Sequence, residues 1–332
     1  MRKLACLVLM GMPLMACAEG NDGQTGGGFS GSLGLGVGYY RVETNFFKTP
    51  SDDQRSISSL NSSPATQHYV TGVPSANLRY ALPGSGTQLF LSVEPLATLG
   101  EGGGLQAGVR QTLPGAGTLS AALKYDQASV WRDPYALNTE RSDDKLKTYG
   151  FAFGWHGIME TPFSASFSYG KVKMNQEQSG QNLGLSAANQ ALLDRNGKQY
   201  GAQLAYTLKL DPAGQQSLSP ALIYVRNDLD GKAMSTTRSG LQLAYAYKGD
   251  LNELSAALAI ARTGYQAGNP IFAGRKADSD DYLLTATYTR KQLFGAKAWS
   301  AFVSGVYGQS NSDISFFDAQ ARALNVGIGY RF

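Results

Sequence analysis

The last eight residues, Asn325-Val326-Gly327-Ile328-Gly329-Tyr330-Arg331-Phe332, alternate apolar side chains with small or polar ones. A period of two defines a strand with one apolar and one polar face. A strand left at a sheet edge exposes a row of unpaired backbone groups, and closing it onto the first strand of a barrel removes that edge. The same alternation recurs at Gly31–Tyr39, Tyr69–Leu82, Gln88–Ala97, Leu105–Leu113, Leu119–Asp126, Thr148–Ile158 and Phe163–Lys171. It continues at Tyr200–Leu210, Leu218–Asn227, Ser239–Lys248, Leu254–Ala261, Tyr282–Arg290, Trp299–Gly308 and Ala323–Phe332. These make about 14 segments, within a range of about 12–16, and the even number suits an all-β, antiparallel, up-and-down transmembrane β-barrel.

Connection lengths alternate as well. Pro83-Gly84-Ser85-Gly86, Pro114-Gly115-Ala116-Gly117 and Asp211-Pro212-Ala213-Gly214 place Pro and Gly at turn-forming positions after even-numbered segments. Glu43–His68, Gln127–Lys147, Met174–Gln199 and Gly264–Asp281 are long and follow odd-numbered segments; one odd connection, around Glu101-Gly102-Gly103-Gly104, is short. Short periplasmic turns and long extracellular loops in this order place both termini in the periplasm.

Tyr and Trp collect at membrane interfaces because their bodies are apolar and their tips polar. On positions that the alternation turns outward, Tyr39, Tyr125, Tyr149, Tyr169, Tyr200, Tyr224, Tyr282 and Tyr307 fall at the external strand ends. Tyr80, Trp155, Tyr206, Tyr247, Tyr288, Trp299 and Tyr330 fall at the periplasmic ends. Two girdles flanking Leu, Val, Ile, Ala and Phe describe a lipid-facing wall. A soluble sandwich has no reason to sort its tyrosines by strand polarity.

Met1-Arg2-Lys3 precedes an apolar run, Leu4 to Ala16, and Ala16-Cys17-Ala18 offers a small-x-small cleavage site. The run is too short to cross a bilayer as a helix, and Pro13 interrupts it. We read 1–18 as a secretory signal peptide, the polar, Gly-rich 19–28 as a flexible periplasmic leader, and 29–332 as the barrel. Leu14-Met15-Ala16-Cys17 is a rival lipoprotein signal with lipid on Cys17, for which Met15 is a poor fit. Cleavage at the first site removes both cysteines, Cys6 and Cys17, so no disulfide is expected.

The chain has 40 glycines and 18 tyrosines in 332 residues, 16% charged residues and a net charge of +4 spread along its length. Its mean hydropathy is only −0.23, as expected when alternate residues alone face lipid. No basic cluster with a nucleic-acid motif occurs, so no nucleic-acid partner is expected. Inward positions are small or polar, among them Gly34, Gly36, Gly38, Ser92, Gly108, Gly150, Ser164, Ser166, Ser168, Gly240 and Gly327. A wide barrel lined in this way leaves room for water, whereas a filled small barrel needs bulky inward residues. The lumen-lining ionisable candidates are Arg79, Arg110, Lys124, Lys209 and Arg331, against Glu94, Asp126 and Glu253. A cationic excess favours anionic solutes, while pairing across strands would make the same charges part of the wall. Within Leu183 to Lys198, Ser186 opens and Gly197 closes an Ala- and Leu-rich stretch that predicts a short helix, either in the mouth or on the external rim.

Catalytic patterns are weak. The two histidines, His68 and His156, fall at opposite ends of the barrel and cannot share a dyad, and no Gly-x-Ser-x-Gly elbow occurs. His68 with Asp52 or Asp53 is a surface alternative to a solvated loop histidine. Asp228-Leu229-Asp230-Gly231 resembles part of a calcium loop but lacks its full spacing and closing acid, and reads better as a turn. Asp278-Ser279-Asp280-Asp281 and Asp143-Asp144 lie at external strand ends, where loose divalent ions bridge to lipopolysaccharide phosphates. No enzyme activity, cofactor or dedicated metal site is expected.

The final strand resembles the C-terminal assembly signal of Gram-negative outer-membrane barrels, with Tyr330 two residues before Phe332. That resemblance implies recognition by the barrel-assembly machinery. Ser58-Ser59-Leu60-Asn61-Ser62, Asp133-Pro134-Tyr135, Asp230-Gly231-Lys232-Ala233-Met234-Ser235, Asn269-Pro270-Ile271-Phe272 and Ser312-Asp313-Ile314-Ser315-Phe316-Phe317-Asp318 add to it. Together they resemble an uncharacterised (domain-of-unknown-function) family of proteobacterial outer-membrane β-barrel proteins, over nearly the whole mature chain. The resemblance implies a bacterial outer-membrane location among outer-membrane lipids and lipopolysaccharide, and supplies no activity or site residues. These motifs sit mostly in external loops, where packing of loop on loop accounts for them. The sequence predicts a porin-like channel for passive diffusion of small polar solutes, anionic ones favoured. The alternatives are a surface-binding or adhesive barrel acting through its loops, and a transporter of hydrophobic solutes, for which inward Phe90, Ile223, Leu283 and Phe302 speak.

Overall fold

The computed structural model describes residues 27–51, 54–94 and 104–332. The expected signal peptide with Cys17, the leader up to residue 26, Asp52, Asp53 and residues 95–103 lie outside the described residues, as does the side chain of Glu94. The strands are β1 (Gly28–Glu43), β2 (Thr66–Ala81), β3 (Thr87–Glu94), β4 (Gly104–Leu113), β5 (Gly117–Trp131), β6 (Asp143–His156) and β7 (Phe163–Lys173). They continue as β8 (Gly197–Tyr206, resumed at Leu208–Lys209), β9 (Gln216–Leu229), β10 (Thr236–Lys248), β11 (Asn252–Tyr265), β12 (Ser279–Lys291), β13 (Trp299–Ser312) and β14 (Ala319–Arg331). Each pairs antiparallel with its sequence neighbours, and β1 pairs with both β2 and β14, so the sheet closes without an edge. Phe332 extends the seam: it exchanges backbone hydrogen bonds with Gly31 at 3.0 and 3.1 Å, and its ring stacks against Phe29 and Tyr330.

Register decides what meets lipid. Leu33, Leu35, Val37 and Tyr39 of β1 are exposed and stand opposite Ala76, Pro74, Gly72 and Val70 of β2. Gly34, Gly36, Gly38 and Tyr40 alternate with them on the inner wall. From Phe29 to Tyr39 the chain rises about 33 Å, or about 25 Å along the membrane normal at a tilt near 40°, the height of an outer-membrane apolar band. The other girdle residues follow the same parity: Tyr125 faces Tyr149, Tyr169 faces Tyr200, and Trp299 faces Tyr330. At the periplasmic end the turns use Gly84, Gly115 and Gly214 at φ of 69°, 75° and 67°, a left-handed conformation that glycine adopts without strain.

The strands extend farther outward than the alternation suggests. β1 runs to Glu43, β5 to Trp131, β11 to Tyr265 and β13 to Ser312, while β6 begins at Asp143 and β14 at Ala319. Above the lipid the outer face becomes polar (Arg41, Lys145, Lys147, Arg262) and the inner face apolar (Val42, Val130, Ala319). The pattern of a lipid-facing strand inverts there, which makes strand read as loop. At the other end β6 stops at His156, where Gly157 at φ 60° starts a tight turn.

Candidate functional site

Between the girdles the inner wall is built from small side chains, including Gly34 and Gly36, Ser164, Ser166 and Ser168, Ala257, Ala259 and Ala261, and Gly327 and Gly329. The Phe302 ring occupies the space that a Cβ on Gly36 or Gly327 would need, so it covers the backbone and does not project as a step of a continuous apolar path.

The predicted lumen charges separate by height. Arg79 and Arg110 face inward near the periplasmic mouth on β2 and β4, with Phe90 of β3 between them. The Arg79 Nε donates to Asn77 Oδ1 at 3.1 Å, and the Arg110 guanidinium lies 4.7 Å over the Phe90 ring. Lys209 is inward beside Ser217. Arg331 and Lys291 each reach Glu253 at 3.1 Å. Lys124 and Asp126 sit higher on β5, at the level of the external tyrosines, where Asp126 Oδ1 accepts the Gln127 N–H at 2.7 Å. Lys248 and Lys291 share the inward parity, and strand-end position alone concealed them. The periplasmic half thus carries Arg79, Arg110, Lys209, Lys248, Lys291 and Arg331 against Glu253, among the described residues. In the external half Arg238 pairs with Asp281 at 3.0 Å and donates to Thr263 at 2.9 Å.

The external mouth is covered by a cap that periodicity could not show. A buried apolar cluster joins Phe46 and Phe47, Tyr135, Leu193, Ala233, Ala277, Phe316 and Phe317, with Phe272 packed against it. Tyr135, between β5 and β6, stacks on Phe316, between β13 and β14, at 5.2 Å. These loops spring from opposite sides of the ring, so their contact lies over the barrel axis. Hydrogen bonds tie the loops into a circuit. Trp131 N–H donates to Phe46 C=O, Gln178 to Arg132, Ala233 to Leu192, Gln266 to Ser235 and Asp313 to Asp278. Asn45 Nδ2 closes it onto Phe316 C=O at 3.0 Å.

Buried charges pin the cap. Arg141 donates to the carbonyls of Asn45, Pro134 and Gln54 and lies 4.5 Å over the Trp131 ring. Burial pushes its guanidinium down to about 10, with Asp133 opposing. Arg195 grips Glu177 at 2.7 Å and donates to the carbonyls of Trp131 and Arg132 at 2.8 Å. Burial alone would raise the Glu177 carboxyl, but the Arg195 charge and hydrogen bonds from Arg195 and Ser179 outweigh it and hold it below the ordinary value. Asp133 accepts the N–H groups of Tyr135, Gly180 and Asn182, each at 3.0 Å. The short helix expected near Ser186 forms at Ala187–Ala191 on the outside of the cap, anchored by Leu183, Leu185, Leu192 and Leu193. All five loop motifs read in the sequence contribute: Tyr135, Ala233, Phe316 and Phe317 belong to the cluster, and the partly buried Leu60 and Phe272 pack against it.

The remaining candidates stay apart. His68 faces outward at the external rim, where its Nδ1 lies 2.6 Å from the Tyr39 hydroxyl, while His156 faces inward at the periplasmic end. Asp228 is engaged by Lys232 at 3.2 Å and Arg226 at 3.6 Å in a turn.

The barrel is similar to a Pseudomonas aeruginosa FadL homologue at 12% identity, over 91% of this chain and 90% of that one, with a TM-score of 0.48. It is also similar to the outer membrane channel DcaP of Acinetobacter baumannii at 10% identity, over 92% and 98% of the two chains, with a TM-score of 0.43. A search of curated proteins finds no match. Residues 28–331 match the family described as "Protein of unknown function (DUF2860)". That match runs from the first residue of β1 to the last of β14, and the chain belongs to this family.

Proposed function

We propose that this protein is an outer-membrane channel for small polar solutes, that it favours anions, and that its loop cap closes the external mouth at rest. The observation that carries this reading is the inner wall: small side chains at mid-height, then six cations against one carboxylate at the periplasmic mouth, among the described residues. Fixed charge of one sign in a low-dielectric conduit raises the local concentration of the opposite ion. The cap adds a gate that an open diffusion pore lacks. A hydrophobic-solute path gains little support, because the cap aromatics pack on one another and Phe302 lies flat over glycine.

The test is to refold the protein into planar bilayers and record conductance and reversal potential across a salt gradient. Rare ohmic openings with an anion-side reversal potential are expected, and Arg79→Ala with Arg110→Ala should move that potential toward zero. Correctly folded protein that never conducts, even with its cap loosened, would remove the channel reading and leave the loop surface as the functional part.

A further inference from the structure

The lipid-facing side of the external rim carries a charge pattern that a channel does not need. Above Tyr149, Tyr169, Tyr200 and Tyr224, four consecutive strands, β6 to β9, turn Lys145, Lys147, Lys171, Lys173, Lys198 and Arg226 outward. Register sets Lys147 directly opposite Lys173, and Lys171 directly opposite Lys198. Residues so paired have Cβ atoms about 5 Å apart, and like charges there destabilise a sheet. Two facing pairs side by side therefore call for a counter-charge.

The protein supplies little. Lys171, Lys173, Lys198 and Arg226 are exposed. Lys147, Lys171, Lys173 and Lys198 make no salt bridge among the described residues. The carboxylates on this face are already engaged, Asp228 by Lys232 and Arg226, and Asp143 by Lys48 at 3.8 Å. Lys145 donates to Ser129 at 2.6 Å. Elsewhere on the circumference outward cations have local partners: Arg41 has Glu43 at 3.1 Å, Arg262 has Asp280 at 3.5 Å, and Arg322 lies 5.3 Å over the Tyr307 ring. The excess is confined to one arc.

We propose that this arc binds the phosphorylated headgroup of lipopolysaccharide, with phosphate between the facing lysine pairs and acyl chains along the wall below. Height and chemistry both fit. Tyrosine girdles mark the headgroup level, so cations one or two positions above them meet lipid phosphates. Beneath them Phe151, Phe153, Phe167, Leu204 and Leu222 form an exposed apolar track on the same four strands. The site is independent of whether the lumen conducts.

The test uses the refolded protein in detergent, with affinity for bisphosphorylated lipid A measured by native mass spectrometry. Dephosphorylated lipid A and inorganic phosphate serve as comparison probes. Replacing Lys147, Lys171, Lys173 and Lys198 together by Gln should weaken binding roughly tenfold or more. Replacement by Arg should retain binding, as should the paired control Arg41→Gln with Arg262→Gln outside the arc. Heat-shifted mobility on gels confirms that each variant is folded. Unchanged affinity in the fourfold Gln variant overturns the proposal, as does an equal loss in the control pair. Equal affinity for dephosphorylated lipid A, or equal competition by inorganic phosphate, also overturns it.

Discussion

Tyr135 shows how much one loop side chain can decide. Its ring meets Phe46, Phe272, Phe316 and Phe317, its hydroxyl reaches Met234 Sδ at 3.6 Å, and Asn269 Nδ2 donates to it at 3.2 Å. Truncating a buried aromatic costs about 3–5 kcal/mol, and here the loss falls on the cap, because Tyr135 lies outside the strand ladder. We expect Tyr135→Ala to raise open probability in single-channel records while the barrel keeps its heat-resistant gel mobility. A variant that stays as closed as the wild type would show that the cap is not the barrier. The sequence displayed Asp133-Pro134-Tyr135 as a loop motif. Its partners come from chain segments about ninety residues or more away, which no periodicity reports.

At the scale of elements, strands and loops draw on different forces. A β-ladder pairs every backbone group whatever the pH, whereas the loop between β7 and β8 depends on Glu177 staying ionised beside Arg195. The Glu177 carboxyl is held below its ordinary value, so its stabilisation is fully present at neutral pH and above. It is lost as pH falls through that lowered value, beneath the usual glutamate range of about 4.3. Acidification should therefore loosen this loop before the barrel, read as pepsin cleavage within 174–196 that increases as pH drops. Glu177→Gln should be loosened already at neutral pH and show a flatter pH dependence; cleavage with the wild-type profile would disprove the role of this pair. The outward extensions of β1, β5, β6, β11, β13 and β14 belong to the same scale: their backbone pairing continues while the solvent that reads their faces changes.

For the whole molecule, closure and bilayer height set the terms. Leu35 sits midway between Phe29 and Tyr39 on the outward face and is 64% exposed, so in the membrane it meets acyl chains. Placing an arginine at the midplane of such a barrel costs about 2–4 kcal/mol. Leu35→Arg should lower the urea midpoint of folding into lipid vesicles by a matching amount, while Gly34→Ser on the opposite face should change it far less. Equal effects would mean that the assignment of faces is wrong.

The sequence by itself determined the barrel, because its inputs are local: a period of two, turn residues at short connections, and aromatics sorted by strand polarity. Parity carries each side chain to one face of the sheet, and the register sets Arg79, Arg110, Lys124, Asp126 and Lys209 on the face opposite the exposed apolar side chains of their strands. Tertiary structure alone decided what those faces meet. The cap joins six loops distant in sequence, and the lysine arc arises because register sets Lys147 against Lys173 and Lys171 against Lys198. Both are consequences of cross-strand and loop-to-loop geometry, which a linear pattern does not encode because each strand's alternation is silent about the offset of its neighbour.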